Sequence, residues 1–505
     1  MDFLARFDAP FAWLTGTSDG SSSYALTRWV FLRALGAIYL IAFVSLWVQV
    51  KGLIGSQGIL PATEYLDFVR NYAGPARYRM VPTVFWFGSG DAALFLVCAA
   101  GTVAACLVML NVAPVVCLAV LWVLYLSLLS IGQDFLSFQW DVLLLEAGLL
   151  AIFCAPAGWL PGRQAVAPLS PLILVLLWWL VFRLSFQSGI VKLTWGDPVW
   201  RNLSALDYHF YTQPLPTWTA WYAHQLPELV KRSMVVMTYV LEIIAPLMIF
   251  GSRPLRLIAC AAIVLMQVAI FATGNYTFFN LLTIVLALVL IDDRVWAHVL
   301  PRTVVQALAV TEPVPAGVAS AARLVFTVVV LFVSAIKFWQ GLTPRADFSP
   351  SLRQLVAWAE PLRSVNSYGL FRVMTTSRSE IIVEGSDDGV SWKPYEFKYK
   401  PGDVHRRPGF VEPHQPRLDW QMWFAALSRP ELVPWFQAFE ARLLEGSAAV
   451  LGLLGTNPFP DRPPRYVRAL LYDYRFTTPE ERRQTGAWWA RTPIGEYGGV
   501  VTNPE

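Results

Sequence analysis

Nine stretches of about 20 largely apolar residues crowd the first two thirds of this chain, near residues 29–48, 92–111, 113–131, 140–156, 171–191, 234–251, 255–273, 277–291 and 324–341. A soluble fold has no interior large enough for so many, because a helix apolar on every side needs an apolar solvent. The pattern predicts a membrane α-helical bundle of about nine spans over residues 29–341, with an N-terminal segment, 1–28, before it. A water-soluble domain, 342–505, follows. The charges divide the same way, with 35 before residue 342 and 39 from there on, although the second part is much the shorter. Spans 140–156 and 277–291 are short enough to be tilted or re-entrant rather than full crossings.

Asp2, Asp8 and Asp19 make the first 28 residues unlike a cleavable signal, so the first span is expected to stay in the protein. Loop Lys and Arg residues number eight on each face when Arg256 is counted, so the positive-inside rule sets no orientation. A net charge of +4 without long runs of like charge excludes nucleic acid as a partner. Cys98, Cys106, Cys117, Cys154 and Cys260 all lie in apolar runs and no CxxC occurs, which excludes a disulfide framework and thioredoxin-type redox chemistry. No GxSxG, HExxH or Gly-rich phosphate loop appears, and no catalytic residue, metal or cofactor is read from the chain.

Five charged residues sit inside or at the ends of the spans: Arg33, Glu146, Arg183, Glu242 and Lys337. Each would cost about 2.5–3.5 kcal/mol if it faced lipid at mid-bilayer, so they are expected to face the bundle interior and to form Arg–Glu pairs. Such pairs serve either packing, or a substrate path or catalytic site. The loop from Lys192 to Tyr222 is dense in aromatic and polar residues, including Asp207, His209 and Gln213. It suits an aromatic belt in the headgroups or a binding surface. Asp207 and His209 fall on different faces of a helix and no third ligand follows at a diagnostic spacing, which argues against a metal.

In the C-terminal third, Glu380-Ile-Ile-Val-Glu384, the turn Ser386-Asp-Asp-Gly389 and the run Trp392 to Tyr399 predict a hairpin. Ala469 to Phe476 and Ala487 to Tyr497 form a second pair of candidate strands, and Glu431 to Leu454 reads as helix between the pairs. A mostly β, sandwich-like domain with a helical insertion is expected. His405-Arg406-Arg407-Pro408 and the segment His414 to Trp420 read as its most polar loop. With Asn366 and Arg372 they are the candidate surface of the domain.

Several strings resemble the lipase maturation factor family. Among them are Thr27-Arg-Trp-Val-Phe-Leu-Arg33, Gly52-Leu-Ile-Gly55, Trp140 to Glu146, Leu206-Asp-Tyr-His209 and Thr212-Gln-Pro-Leu-Pro216. Others are Asn366-Ser-Tyr-Gly-Leu-Phe-Arg372, Tyr395 to Gly402 and Pro413-His-Gln-Pro-Arg-Leu-Asp-Trp-Gln-Met-Trp423. The resemblance runs in order from about residue 24 to 497 and implies a chaperone-like, multi-pass membrane protein that helps secreted lipases reach their active fold, with no reaction of its own. It implies the endoplasmic reticulum membrane in a eukaryote, and the inner membrane with a periplasmic C-terminal domain in a bacterium. In either case the N-terminus would be cytosolic, since nine spans put the two ends on opposite faces. The chain stops at Glu505 without a Lys-Asp-Glu-Leu retention signal, and its Ala, Arg and Trp content suits a bacterial owner. The alternative is a membrane enzyme or small-molecule carrier, distantly like the transmembrane domain of vitamin K-dependent carboxylase. Intramembrane charges lining one open cavity would favour that second reading, and charges closed into pairs the first.

Overall fold

The computed structural model describes residues 10–17, 23–160, 169–308, 318–343 and 348–502, and Asp2, Asp8 and Asp19 lie outside them. Nine helices among the described residues run through the bundle: α1 (Ala25–Trp47), α2 (Asp91–Met109), α3 (Pro114–Ile131), α4 (Gln139–Cys154), α5 (Pro171–Thr194), α6 (Glu228–Phe250), α7 (Arg253–Thr273), α8 (Phe279–Leu290) and α9 (Val318–Leu342). Among the described residues, seven of them are long and apolar enough to cross a bilayer. Helices α4 and α8 are not. At a rise of about 1.5 Å per residue they span roughly 24 and 18 Å, against a hydrocarbon core of about 30 Å. Most of their side chains are buried among the other helices, so protein rather than lipid surrounds them and the bilayer thickness does not dictate their length.

Contacts at the helix ends show that both short helices carry the chain from one face to the other. Ser45 and Gln49 near the end of α1, Gln139 at the start of α4, Gln187 late in α5 and Asn275 after α7 all bond to residues 368–415. At the opposite face, Asp293 after α8 accepts from the backbone N–H groups of Ala25 and Leu26 at 2.8 and 2.9 Å, closing the start of α1. Arg253 at the start of α7 pairs there with Asp292. The C-terminal domain and the 195–227 loop therefore share one face, and the start of α1 lies on the other. Helix α5 is the central element, with 78% of its apolar window inside the protein, whereas α6 and α7 have only 28% and 22% and form the rim.

The C-terminal domain contains the two antiparallel pairings expected. Strand β1 (Arg378–Ser386) pairs with β2 (Lys393–Pro394) across the predicted turn, where Gly389 has φ +75° and Ser386 Oγ accepts from the Gly389 N–H at 2.9 Å. The run 392–399 does not stay one strand, because Pro394 has no N–H to extend the ladder. Its continuation, β3 (Glu396–Phe397), turns to pair with β4 (Leu454–Thr456). Strand β5 (Tyr466–Phe476) lies between β1 and β6 (Trp489–Glu496), and β7 (Val501–Thr502) also pairs with β5. Replacing Gly389 by Val should lower the Tm of the full chain, since a β-branched residue at positive φ costs about 1–2 kcal/mol. An unchanged melting curve would remove the turn from the elements that hold the sheet.

Two helices of ten or more residues, and a short one (Ala448–Leu451), are inserted between the strand pairs. One, α10 (Arg417–Ala426), replaces the second half of the predicted His414–Trp420 loop, and Trp420 on it is 3% exposed. Pro413 and Pro416 suggested a loop, but Pro416 stands just before the first turn, where a missing N–H costs nothing. The other, α11 (Pro434–Leu444), is the first part of the helix expected over 431–454. That helix ends because Gly446 takes φ +68°, and Leu454 already belongs to β4. One continuous core joins Phe43, Tyr125 and Leu144 of the bundle to Trp420, Phe439 and Val467 of the domain.

Candidate functional site

Two buried Arg–carboxylate pairs of the bundle are closed by residues 364–417. Arg183 on α5 pairs with Glu146 on α4, each 1% exposed, as the cost of a lipid-facing charge predicts. The pair is closed by the segment that follows α9. Glu146 accepts from the Asn366 N–H at 3.0 Å, from Asn366 Nδ2 at 3.1 Å and from Tyr368 Oη at 2.6 Å, and Arg183 Nη1 donates to the Asn366 carbonyl at 2.9 Å. Asn366 thus belongs to the junction between bundle and domain, rather than to an open surface.

A second buried pair escaped the sequence reading. Arg417, first residue of α10, grips Asp141 of α4 in a two-pronged contact at 2.7 and 2.9 Å, and Tyr125 Oη donates to the same carboxylate at 2.5 Å. Around it, Gln49 Nε2 reaches the Gln415 carbonyl at 2.7 Å, Trp140 Nε1 reaches Gln415 Oε1 at 2.6 Å, and His414 Nδ1 lies 2.9 Å from Ser45 Oγ. His414 and Trp420 are therefore docking residues of the domain. The signal was Asp141 itself, a carboxylate within a span edge, with a lone arginine in Pro-Arg-Leu-Asp-Trp to meet it.

A cavity of about 430 Å³ lies between α5, α6, α7 and the start of α8, roofed by His209 and Phe371. Lys192 Nζ meets Glu242 Oε2 at 2.5 Å on its wall. Glu242 sits in a π-helical turn, Val240–Ile244, a local widening that often marks functional positions. Gly189 allows that turn to approach α5, since a Cβ there would lie 2.8 Å from the Glu242 Cβ. His209 Nε2 lies 3.3 Å from Tyr276 Oη, and its ring packs edge-on against Phe371. Burial, and then Lys192, pull the imidazole down to about 4, so it is neutral at pH 7. The wall offers a buried ion pair beside a neutral imidazole. Among the described residues, nothing in this wall sets a nucleophile against a base in the manner of a covalent catalyst.

The charges predicted within the spans meet four different fates. Glu146 and Arg183 pair with each other, Glu242 takes Lys192, and Lys337 reaches the exposed Glu360 at 3.3 Å. Arg33 does not enter the interior. It is half-buried, bends back over the Trp29 ring at 4.0 Å and donates to the Trp29 carbonyl, as a long side chain does when its head seeks the nearer interface.

A family model described as the lipase maturation factor transmembrane domain matches residues 26–298, and one described as the lipase maturation factor C-terminal domain matches residues 364–499. The chain belongs to the lipase maturation factor family. Lipase maturation factor 2 of Gallus gallus is 38% identical over 94% of this chain and 81% of its own length. Lipase maturation factor 1 of Bos taurus is 36% identical over 94% and 89%. Lipase maturation factor 2 of Homo sapiens is 37% identical over 94% and 82%. No solved structure matches the chain.

In this lipase maturation factor homologue the 195–227 loop is mainly an interface within the molecule. Trp221 packs edge-on against Trp488, and Arg482 lies 3.5 Å over the Trp488 ring. Arg378 of β1 donates to the carbonyls of Tyr211, Gln213 and Pro214, so the loop backbone is held by a buried guanidinium. Gln213 Oε1 accepts from Tyr276 Oη at 2.9 Å, and Asp207 pairs with Lys231 at 2.6 Å. In the domain, Arg372 is exposed over the Trp195 ring at 4.2 Å, and His405 and Arg407 are exposed. Arg406 is half-buried and turns inward to the Phe397 carbonyl at 2.6 Å.

Glu412 links the domain to the end of the bundle and is missing from the candidates drawn from sequence. Burial pushes its carboxyl up to about 8, against hydrogen bonds from the Tyr276 N–H and Asn280 Nδ2. Below about pH 4.5 the folded and unfolded chains both hold that proton, and the group does not alter the slope. Between about 4.5 and 8 only the folded chain holds it, so stability falls as pH rises. Glu412→Gln should flatten the decline of Tm between pH 5 and pH 8. An identical pH profile in the variant would place the titration elsewhere.

Proposed function

We propose that this chain is a membrane-embedded maturation factor that assists the folding or assembly of a secreted lipase or another exported protein. Family membership over both the bundle and the C-terminal domain is the observation that carries the reading. The names of the relatives, lipase maturation factors 1 and 2, describe maturation rather than a catalysed reaction. Pairing of Glu146 and Glu242 with basic partners further supports a scaffold over a carrier or enzyme.

The client surface in this reading is the part of the domain left free after docking, where Arg372, His405 and Arg407 are exposed. Asn366, His414 and Trp420 are committed to internal contacts. The domain would face the endoplasmic reticulum lumen in a eukaryotic host or the periplasm in a bacterial one, with the N-terminus in the cytosol. Crosslinking in the native host should capture a secreted hydrolase, and a triple alanine variant at Arg372, His405 and Arg407 should lower that capture several-fold while its Tm holds. A C-terminal reporter active only in the cytosol should stay silent. Activity of that reporter would reverse the topology and with it direct contact between this domain and exported clients.

A further inference from the structure

The Lys192–Glu242 cavity opens sideways. Helices α6 and α7 touch beside their connecting turn, through residues 240–250, and part toward Glu228 and Thr273. Along that gap the cavity wall includes Met237 and Leu265, 52% and 59% exposed on the rim that faces lipid. A cavity open at that position is accessible to bilayer lipid.

Its polarity is graded. The deeper wall is apolar, with Leu184 and Ile263, while Gln267 and Asn280 lie toward the face that carries the domain. Gln267 is about 9 Å from the end of α7 by helical rise. Gln267 is 9% exposed and Asn280 fully buried, and each carries a buried side-chain oxygen, Oε1 and Oδ1, that accepts no hydrogen bond among the described residues. A buried acceptor without a donor is costly, and two on one wall point to a missing partner that donates. Glu242 and Lys192 cancel each other's charge, so the wall selects neither an anionic nor a cationic headgroup.

We propose that this cavity binds a neutral lipid with a free hydroxyl, its acyl chain entering between α6 and α7 and its hydroxyl donating to Gln267 or Asn280. The orientation matches a lipid in the leaflet next to the C-terminal domain, polar end outward and chain toward the bilayer centre. The volume lies within the range of about 300–1,000 Å³ typical of ligand pockets. The site is independent of any client protein.

The test uses the full chain in phosphatidylcholine nanodiscs with a diazirine-bearing diacylglycerol as probe. Label should appear on peptides from α6 and α7, and unlabelled diacylglycerol should compete at least ten-fold better than extra phosphatidylcholine or phosphatidylserine. Ala269→Trp, a bulky side chain on the exposed rim, should abolish labelling. Gln267→Leu, which removes an oxygen with no partner in the protein, should weaken it several-fold while leaving the Tm unchanged or higher. Equal competition by phosphatidylcholine would reduce the site to ordinary boundary lipid and overturn the proposal. So would labelling of the wild type that fails to reach α6 or α7, or labelling undiminished in Ala269→Trp. The competition arms use the wild-type protein alone, so the outcome does not depend on a variant folding.

Discussion

Arg417→Met should leave little folded protein, with a loss of about 3–5 kcal/mol, because it strands the Asp141 carboxylate in an interior from which water is excluded. Asp141 is fully buried and its charge is balanced by Arg417. The informative variant is the double one. Arg417→Met with Asp141→Leu removes both charges, and replacing a buried pair by apolar groups of similar size is often close to neutral. The hydroxyl of Tyr125 then lacks its acceptor and the Phe135 carbonyl its donor, at a cost of about 1–3 kcal/mol each. The double variant should recover most of the Tm lost in the single one. If the two melt alike in detergent, the pair acts through the Phe135 carbonyl that Arg417 also reaches at 2.7 Å.

The second large effect is expected at Gly52. A Cβ there would lie 2.4 Å from the Ala449 carbonyl oxygen and 2.7 Å from Leu453 Cγ. The first neighbour is backbone, so it cannot swing aside as a side chain can. Gly52→Val should force residues 448–454 off the turn that follows α1, at about 1–3 kcal/mol or more for an overpacked contact. The Ser447 hydroxyl, 2.7 Å from the Gln57 carbonyl, would be lost with it. Limited proteolysis reads this directly, since the variant should be cut within 445–456 at protease concentrations that leave the wild type whole. Resistance equal to wild type would show that the contact yields without cost.

Much of this architecture is legible in the residues. A carboxylate in the middle of an apolar run has few physical options, and Glu146 with Arg183 follows from that alone. Asp-Gly between two β-rich runs likewise admits few outcomes. The misses share a different cause. Asp141 and Lys192 lie at span ends, where a charge ordinarily meets water or headgroups and needs no partner. Their burial arises because the C-terminal domain covers that face, a fact of tertiary packing that no local pattern encodes. The same packing turned His414 and Trp420 from candidate surface into docking residues, and hid α10 behind two prolines. Of the cavity, only Glu242 and the richness of residues 192–222 were visible. Its walls come from helices far apart in the chain, and the oxygens of Gln267 and Asn280 stand out only once their surroundings are known.

Synthesis runs from the N-terminus, and the shared core gives that direction a consequence. Helices α1 and α4 enter the bilayer with Gln49, Asp141 and Glu146 still waiting for groups that lie hundreds of residues downstream. Until residues 364–421 have been translated and folded back, the nascent bundle displays an uncapped polar floor to its surroundings. A chain cut short after α9 would keep every span and still expose that floor for good. Cellular surveillance that recognises unpaired polar groups in a membrane would read such a fragment as unfinished, so the last third of the protein doubles as its own certificate of completion.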